Sequence, residues 1–282
     1  MVAIKSYIRL LRLDKPIGIL LLLWPTMWAL WLANHGMPSL RLLFVFVLGT
    51  VLMRSCGCVL NDIADRKVDG FVERTKSRPL AQGEISVFSA CVVAGVLAFI
   101  SFLLVLLCNA LTIGLAVVGA VLALGYPYLK RVTHLPQLGL GVAFAWGIPM
   151  AFAASTGFVS EEAWFLFLTA AIWPVIYDTM YAMVDREDDV RLGVKSTAIL
   201  FGRDDRLMIG LLQCVFIVML SVVGKIFQLD VAYQYCLLSA IILFLYQQIL
   251  IKDRERSNCF AAFLNNQYVG MAVFIGILWG QV

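Results

Sequence analysis

Charge is scarce in this chain: 14% of its 282 residues are charged, 62% are hydrophobic, and the mean hydropathy is +0.90. That balance excludes an ordinary soluble domain and marks an integral membrane protein. Histidine is nearly missing, with His35 and His134 alone, and neither falls in an acidic stretch, which argues against zinc. Alternating polar runs of strand length are missing too, so helices are expected rather than a transmembrane β-barrel. The cysteines are an odd number, seven, mostly inside apolar runs, and give no disulfide framework. Cys56 and Cys58, two apart on a helix, point to different sides and are expected as small packing residues.

Apolar windows fill the rest. Crossing a hydrocarbon core of about 30 Å takes roughly 20 helical residues. Nine windows meet that length: 16–34, 42–60, 87–107, 110–128, 135–155, 163–184, 207–224, 231–251 and 263–281. Residues 1–15 are basic and amphipathic, with Lys5, Arg9, Arg12 and Lys15, and no small-residue cleavage site follows, so an interfacial helix is expected. Placing the N-terminus in the cytoplasm puts 19 of the 22 Lys and Arg residues on that side; only Arg41 and Lys225 fall outside, and Arg54 lies within the second span. Such asymmetry sets orientation. The whole chain, 1–282, reads as a single polytopic domain with cytoplasmic loops at 61–86 and 185–206.

Those two segments hold most of the acid. In "NDIADRKVDG", Asn61, Asp65 and Asp69 are successive i, i+4 neighbours, as are Asp185 and Asp189 in "YDTMYAMVDREDDVRLGVKS". Each stretch builds a column of oxygen ligands where its helix leaves the apolar zone. Asp62 stands about 100° round the helix from Asn61 and is the weaker candidate. Asp178 and Tyr181 lie deeper on the sixth span, where a carboxylate is costly and usually functional. Two acidic columns repel unless a cation separates them, and oxygen-only ligands suit a hard ion such as Mg²⁺. Arg66, Lys67, Arg74, Lys76, Arg78, Lys130, Arg131, Arg186, Arg191 and Lys195 crowd the same side. Acids for metal beside clustered Arg and Lys are what a diphosphate requires. Arg54, seven residues before Asn61, shares its helical face one level deeper, and the sequence leaves open whether it reaches an anionic substrate group or pairs with Asp178.

These strings fit the NDxxDxxxD and DxxYxxxDxxxD motifs, and with "LRLDKPIGILLLLWPTMWAL", "RTKSRPLAQG", "YPYLKRVTHLPQ" and "VKSTAILFG" the chain from about residue 8 to 205 resembles the UbiA-type intramembrane aromatic prenyltransferases. The branch it resembles most acts on 4-hydroxybenzoate in ubiquinone synthesis. The resemblance implies a bundle of nine helices around a central cavity in a bacterial inner membrane. It also implies Mg²⁺-dependent transfer of a polyprenyl group from its diphosphate to the ring carbon ortho to the hydroxyl. Asn61, Asp65 and Asp69 would hold one Mg²⁺ and Asp185 and Asp189 a second. Arg66, Arg131 and Lys195 would lie along the diphosphate or the benzoate carboxylate, with Arg54 and Tyr181 also near substrate. Asp185, near Tyr181, is expected to accept the phenolic proton. Trp24, Met27, Trp28 and Trp31 are expected as packing or interface residues. The rivals are a related enzyme with another aromatic acceptor, and a transporter or cation channel, which would place its acids near the bilayer midplane.

Overall fold

A computed structural model describes residues 2–281 and is helical, with no strand among those residues. Among them, nine segments are long and apolar enough to span a bilayer, from Ile17–Asn34 to Arg256–Gly280. This is a multi-pass membrane protein. In chain order the helices are α1 (Val2–Leu10), α2 (Ile17–Asn34), α3 (Leu40–Asp65), α4 (Val87–Val105), α5 (Ala110–Val132), α6 (Pro136–Ala145), α7 (Gly147–Thr156), α8 (Glu161–Leu192), α9 (Thr197–Phe201), α10 (Asp205–Ile226), α11 (Val231–Leu250) and α12 (Arg256–Gly280).

Polar punctuation sets the helix ends. The side chains of Ser39, Ser86, Asn109 and Ser160 accept from the backbone N–H groups of Leu42, Ser89, Thr112 and Ala163, satisfying orphan donors at the starts of α3, α4, α5 and α8. Gly193, with φ of 69°, terminates α8 in the left-handed region that favours glycine. The apolar residues between these caps face two ways. Phe99, Val121, Ile242 and Leu245 point outward, as a lipid-facing surface requires. The inner faces close around α8: Trp173 stacks on Trp28 with ring centroids 5.5 Å apart, and on Phe216 at 6.2 Å.

Two buried indole N–H groups in this core have partners on α12. Trp173 Nε1 donates to Asn266 Oδ1 at 3.1 Å, and Trp28 Nε1 donates to the Gly270 carbonyl at 3.1 Å. Both bonds tie α12 to the centre, where no water could serve instead. Gln213, Gln247, Gln248 and Asn265 form a further amide chain joining α10, α11 and α12.

Four details differ from expectation. The sixth span does not end near 184; α8 continues to Leu192, so Asp185 and Asp189 stand on helix rather than loop. Asp69 does not continue the column helically, because α3 ends at Asp65 and Asp69 opens a short 3₁₀ turn, Asp69–Phe71. The fifth span is broken at Trp146 into α6 and α7. The N-terminal helix stops at Leu10, and Arg12 takes φ of 55° as the chain turns toward α2.

Helix α1 straps the segment after α3. Ser6 donates to Glu84 at 2.5 Å, Arg9 pairs with Glu84 at 3.2 Å and also donates to the Ser77 carbonyl, while Leu10 is fully buried. The Ser6 hydroxyl, followed by Arg9, holds the Glu84 carboxyl below its ordinary range.

Candidate active site

One cavity of about 390 Å³ lies between the ends of α3 and α8, and Asn61, Asp65, Asp69, Asp185 and Asp189 all line it. Helix α3 delivers Asn61 and Asp65 from its last turns. The 3₁₀ turn brings Asp69 back to the same cavity, where Thr75 Oγ1 donates to the Asp69 carbonyl at 2.9 Å and fixes the turn. Asp185 and Asp189 come from the final turns of α8, four apart and so on one face.

Each buried acid pairs with a cation, and two half-buried acids do not. Arg78 bonds Asp69 at 2.9 Å and reaches Asp62 at 3.1 Å; Arg12 holds Asp62 at 2.8 Å. Lys130 bonds Asp65, and Arg131 stands 4.0 Å from the same carboxylate. Arg74 spans both oxygens of Asp185, with Nε at 3.0 Å from each and a guanidinium nitrogen at 2.5 Å from Oδ2. Its guanidinium carbon sits 4.3 Å from the centre of the Tyr181 ring. Burial opposes the Arg74 charge, but Tyr181 and Asp185 outweigh it and hold its pKa above the ordinary value. Arg78 is raised in the same sense, its burial overcome by Asp62 and Asp69. Burial pushes the Asp69 carboxyl upward, against the pull of Arg78. Asp178 and Asp189 are the exceptions: no Lys or Arg among the described residues lies within ion-pair distance of either.

The other expected substrate contacts divide. Lys195 lines the cavity, its ammonium bonded to the Val132 carbonyl at 3.0 Å and its N–H to the Lys130 carbonyl at 3.0 Å. Tyr181 lines it as well. Arg131 does not line it; exposed beside Asp65, it donates to the Ala64 carbonyl at 2.7 Å. Arg66 does not face the cavity; it is exposed and turns back to the Ile63 carbonyl at 2.7 Å. Asp185, expected to take the phenolic proton, has both oxygens engaged by Arg74.

Of the two partners that the spacing of Arg54 left open, Asp178 is not joined to it by an ion pair among the described residues. Arg54 pairs with no carboxylate among the described residues, and its buried Nε has no hydrogen-bond partner. Its guanidinium stands 5.5 Å from the Phe144 ring centre. A Cβ on Gly18 would come within 2.5 Å of that guanidinium, so glycine at this point of α2 makes the room it occupies. Arg54 is half-buried overall and lines the cavity, so an anion bound there would meet its charge.

Arg54, Tyr126 and Phe144 also line a second cavity of about 340 Å³, apolar and rich in small residues such as Gly49, Gly57, Ala98, Gly119, Ala120 and Ala123. The two cavities therefore meet at Arg54. Trp24, Met27, Trp28 and Trp31 do not line the second one; Met27 and Trp28 are buried in the core and Trp24 and Trp31 pack against it.

The residues reachable by one cavity suit Mg²⁺. Their donor set is oxygen only, and among the described residues no group of three or more Asp, Glu, His or Cys could enclose an ion unaided. Mg²⁺ characteristically takes one or two carboxylates and completes its shell with water and substrate phosphates. The sequence had marked Arg74, Arg78 and Lys130 only as members of a basic crowd. Their pairing with particular aspartates spans 111, 9 and 65 residues and has no local signal.

A helical bundle with nine spans among the described residues, acids and bases gathered in one cavity and apolar space beside it, defines an intramembrane enzyme acting on an anionic lipid-like substrate. Residues 22–275 match the UbiA prenyltransferase family, and the chain belongs to that family. It is 58% identical over 274 residues to a protein of Vibrio parahaemolyticus named 4-hydroxybenzoate octaprenyltransferase, covering 97% of this chain and 96% of that one. Its fold is similar to an apo UbiA homologue from Aeropyrum pernix, with TM-score 0.80, 22% identity, and 93% and 96% of the two chains covered. A UbiA homologue from Archaeoglobus fulgidus, solved bound to GPP and Mg²⁺, matches with TM-score 0.72 and 17% identity over 97% and 99% of the chains.

Proposed function

We propose that this protein transfers a polyprenyl group from polyprenyl diphosphate to the ring carbon ortho to the hydroxyl of 4-hydroxybenzoate, a membrane step of ubiquinone biosynthesis. The observation that carries the reading is the convergence of Asn61, Asp65 and Asp69 with Asp185 and Asp189 on one cavity, above an unpaired Arg54. In this reading Asn61, Asp65 and Asp69 hold one Mg²⁺ and Asp185 and Asp189 a second. When bound, the metal supplies electrostatic stabilisation of the charge that builds on the departing diphosphate.

The chain's own residues do the rest. Arg74, Arg78, Lys130 and Lys195 are the cations that line the cavity for the diphosphate oxygens, with Arg131 beside Asp65 and Arg66 outside the set. The apolar second cavity receives the isoprenoid tail, keeping water from the allylic cation left when the C–O bond breaks. Tyr181 and Phe263, with ring centroids 4.6 Å apart beside the cavity, offer aromatic faces to that cation. Arg54 anchors the benzoate carboxylate and thereby selects an acidic acceptor. The single domain 1–282 is oriented by its basic residues, with the cavity facing the cytoplasm and the bundle in the bacterial inner membrane.

The test is product formation. Membranes containing the protein, given Mg²⁺, a polyprenyl diphosphate and 4-hydroxybenzoate, should form the 3-prenylated acid. Homogentisate or a dihydroxynaphthoate should serve poorly in its place. No product at any chain length would contradict the enzyme reading, and preference for another acceptor would reassign the substrate.

A further inference from the structure

The last turns of α8 carry Asp185 and Asp189 to the cavity, yet apolar packing does not hold them there. Asp185 is the final buried residue of the helix, and none from Arg186 to Lys195 is buried. Beyond Gly193 the chain passes through Lys195, which lines the same cavity, to α9 and then to the start of α10 at Asp205. Helix ends fray where nothing pins them, because their last carbonyls have no partner within the helix. A carboxylate that must hold a metal tolerates a displacement of only about 0.5 Å. Something other than packing must fix this segment.

The back of α8 supplies it. Arg186 stands about 100° round the helix from Asp185 and does not line the cavity. Its guanidinium bonds Asp205, 19 residues further on. Asp205 is fully buried, and its carboxylate is filled. Arg254 donates from Nε to both oxygens at 3.1 Å and from Nη2 to Oδ1 at 2.8 Å, and the Arg206 N–H donates to Oδ1 at 2.6 Å. Such a forked guanidinium contact fixes direction as well as distance. Arg254 itself comes from the turn between α11 and α12, where it takes φ of 58° and also donates to the Arg203 carbonyl at 2.8 Å. The bond from Arg186 to Asp205 therefore closes the neck of a loop that carries both Asp189 and Lys195, and Arg254 ties that neck to α11 and α12. A neighbouring pairing of Arg256 with Glu187 at 2.9 Å and Asp188 at 3.4 Å lies at the surface and is the weaker tie.

We infer that Asp205, acting through Arg186 and Arg254, is the positioning residue for the metal-holding end of α8. It touches neither substrate nor metal; it sets where Asp185 and Asp189 stand. The inference rests on the reading above that those two aspartates hold Mg²⁺. Outer partners of metal ligands typically contribute about 10- to 100-fold in metal affinity or activity. The defect on losing this one belongs in the metal requirement, not in the affinity for the aromatic acceptor.

Asp205→Asn and Arg254→Gln in the full-length protein in membranes test this. Each should raise the Mg²⁺ concentration needed for half-maximal prenyl transfer by about 10- to 100-fold, with much of kcat recovered at saturating Mg²⁺ and KM for 4-hydroxybenzoate little changed. Mn²⁺ binding, followed by electron paramagnetic resonance with inorganic diphosphate present and no turnover, should weaken by a similar factor. Amide hydrogen exchange over 186–201 should quicken while that of α2 stays as in wild type. Arg254→Lys should restore part of the metal affinity, and Arg256→Gln should change it less than about fivefold, as a surface pair does. Should Asp205→Asn, with two guanidinium groups left facing each other, not insert, Arg254→Gln decides alone. An unchanged Mg²⁺ requirement in inserted Arg254→Gln, or a loss that follows the amount of folded protein and is not eased by Mg²⁺, would overturn the assignment. Wild-type prenylation indifferent to Mg²⁺ would instead remove the metal reading and this inference with it.

Discussion

Asp65→Ala and Asp189→Ala should each reduce prenyl transfer by on the order of 10³-fold or more, at least the loss seen when one strong electrostatic stabiliser of a transition state is removed. The two residues belong to different helices, α3 and α8, separated by more than a hundred positions in the chain. Equal severity at both is expected only if the two columns serve one charge between them. Neither substitution should unfold the bundle, whose core lies around Trp28, Trp173 and Phe216. Asp65→Ala leaves the Lys130 ammonium without its carboxylate, so Asp65→Asn is the gentler companion and should be equally inactive. Turnover measured beside membrane insertion and detergent size-exclusion profiles decides the matter, and wild-type turnover in either alanine variant would contradict the metal assignment.

Arg54→Met should raise KM for 4-hydroxybenzoate by about 10²- to 10³-fold, because losing one partner of a desolvated charge pair costs about 2–5 kcal/mol. KM for the polyprenyl diphosphate should hardly move, since the diphosphate is assigned to cations nearer the end of the bundle. Methionine fills similar space beside Gly18 and Phe144 without a charge. Arg54→Lys should recover only part of the affinity, as a point charge lacks the paired donors of a guanidinium. An unchanged KM for the acceptor in Arg54→Met would remove Arg54 from the acceptor site.

The bundle was legible because nine apolar windows each exceed what a soluble helix needs, and hydropathy alone counts them. It was less legible where helices run beyond the apolar zone. Asp185, Arg186, Glu187, Asp188 and Asp189 look like loop in a hydropathy reading, yet they are the last turns of α8, which stops only at Gly193. The opposite error occurred at Asp69. Its spacing of four from Asp65 suggested one more helical turn, but the chain folds back there so that Arg78 can reach Asp69 and Asp62 together. Periodicity reports which residues could share a face, and tertiary ion pairs decide whether they do.

The same limit applied to the basic residues. Arg66, which the family resemblance places along the substrate, turns back to the Ile63 carbonyl at its own helix end. Arg12, by contrast, reaches Asp62 across 50 residues, through an N-terminal strap that no local pattern announces. Arg54 was visible as a charge inside a span, and both partners offered for it were reasonable from sequence. Only the packed helices show that Asp178 is engaged by Gln137 instead and that the Nε of Arg54 is left without a hydrogen-bond partner. An arginine inside a span, its Nε unpartnered, is the feature that sequence could locate and could not interpret.

The central claim is that carboxylates from α3 and α8 act through Mg²⁺ on a prenyl diphosphate, and chelation tests it most directly. In membranes supplied with polyprenyl diphosphate and 4-hydroxybenzoate, release of diphosphate and formation of the 3-prenylated acid should stop together on addition of EDTA and return together on excess Mg²⁺. Undiminished prenylation in the presence of the chelator would contradict it.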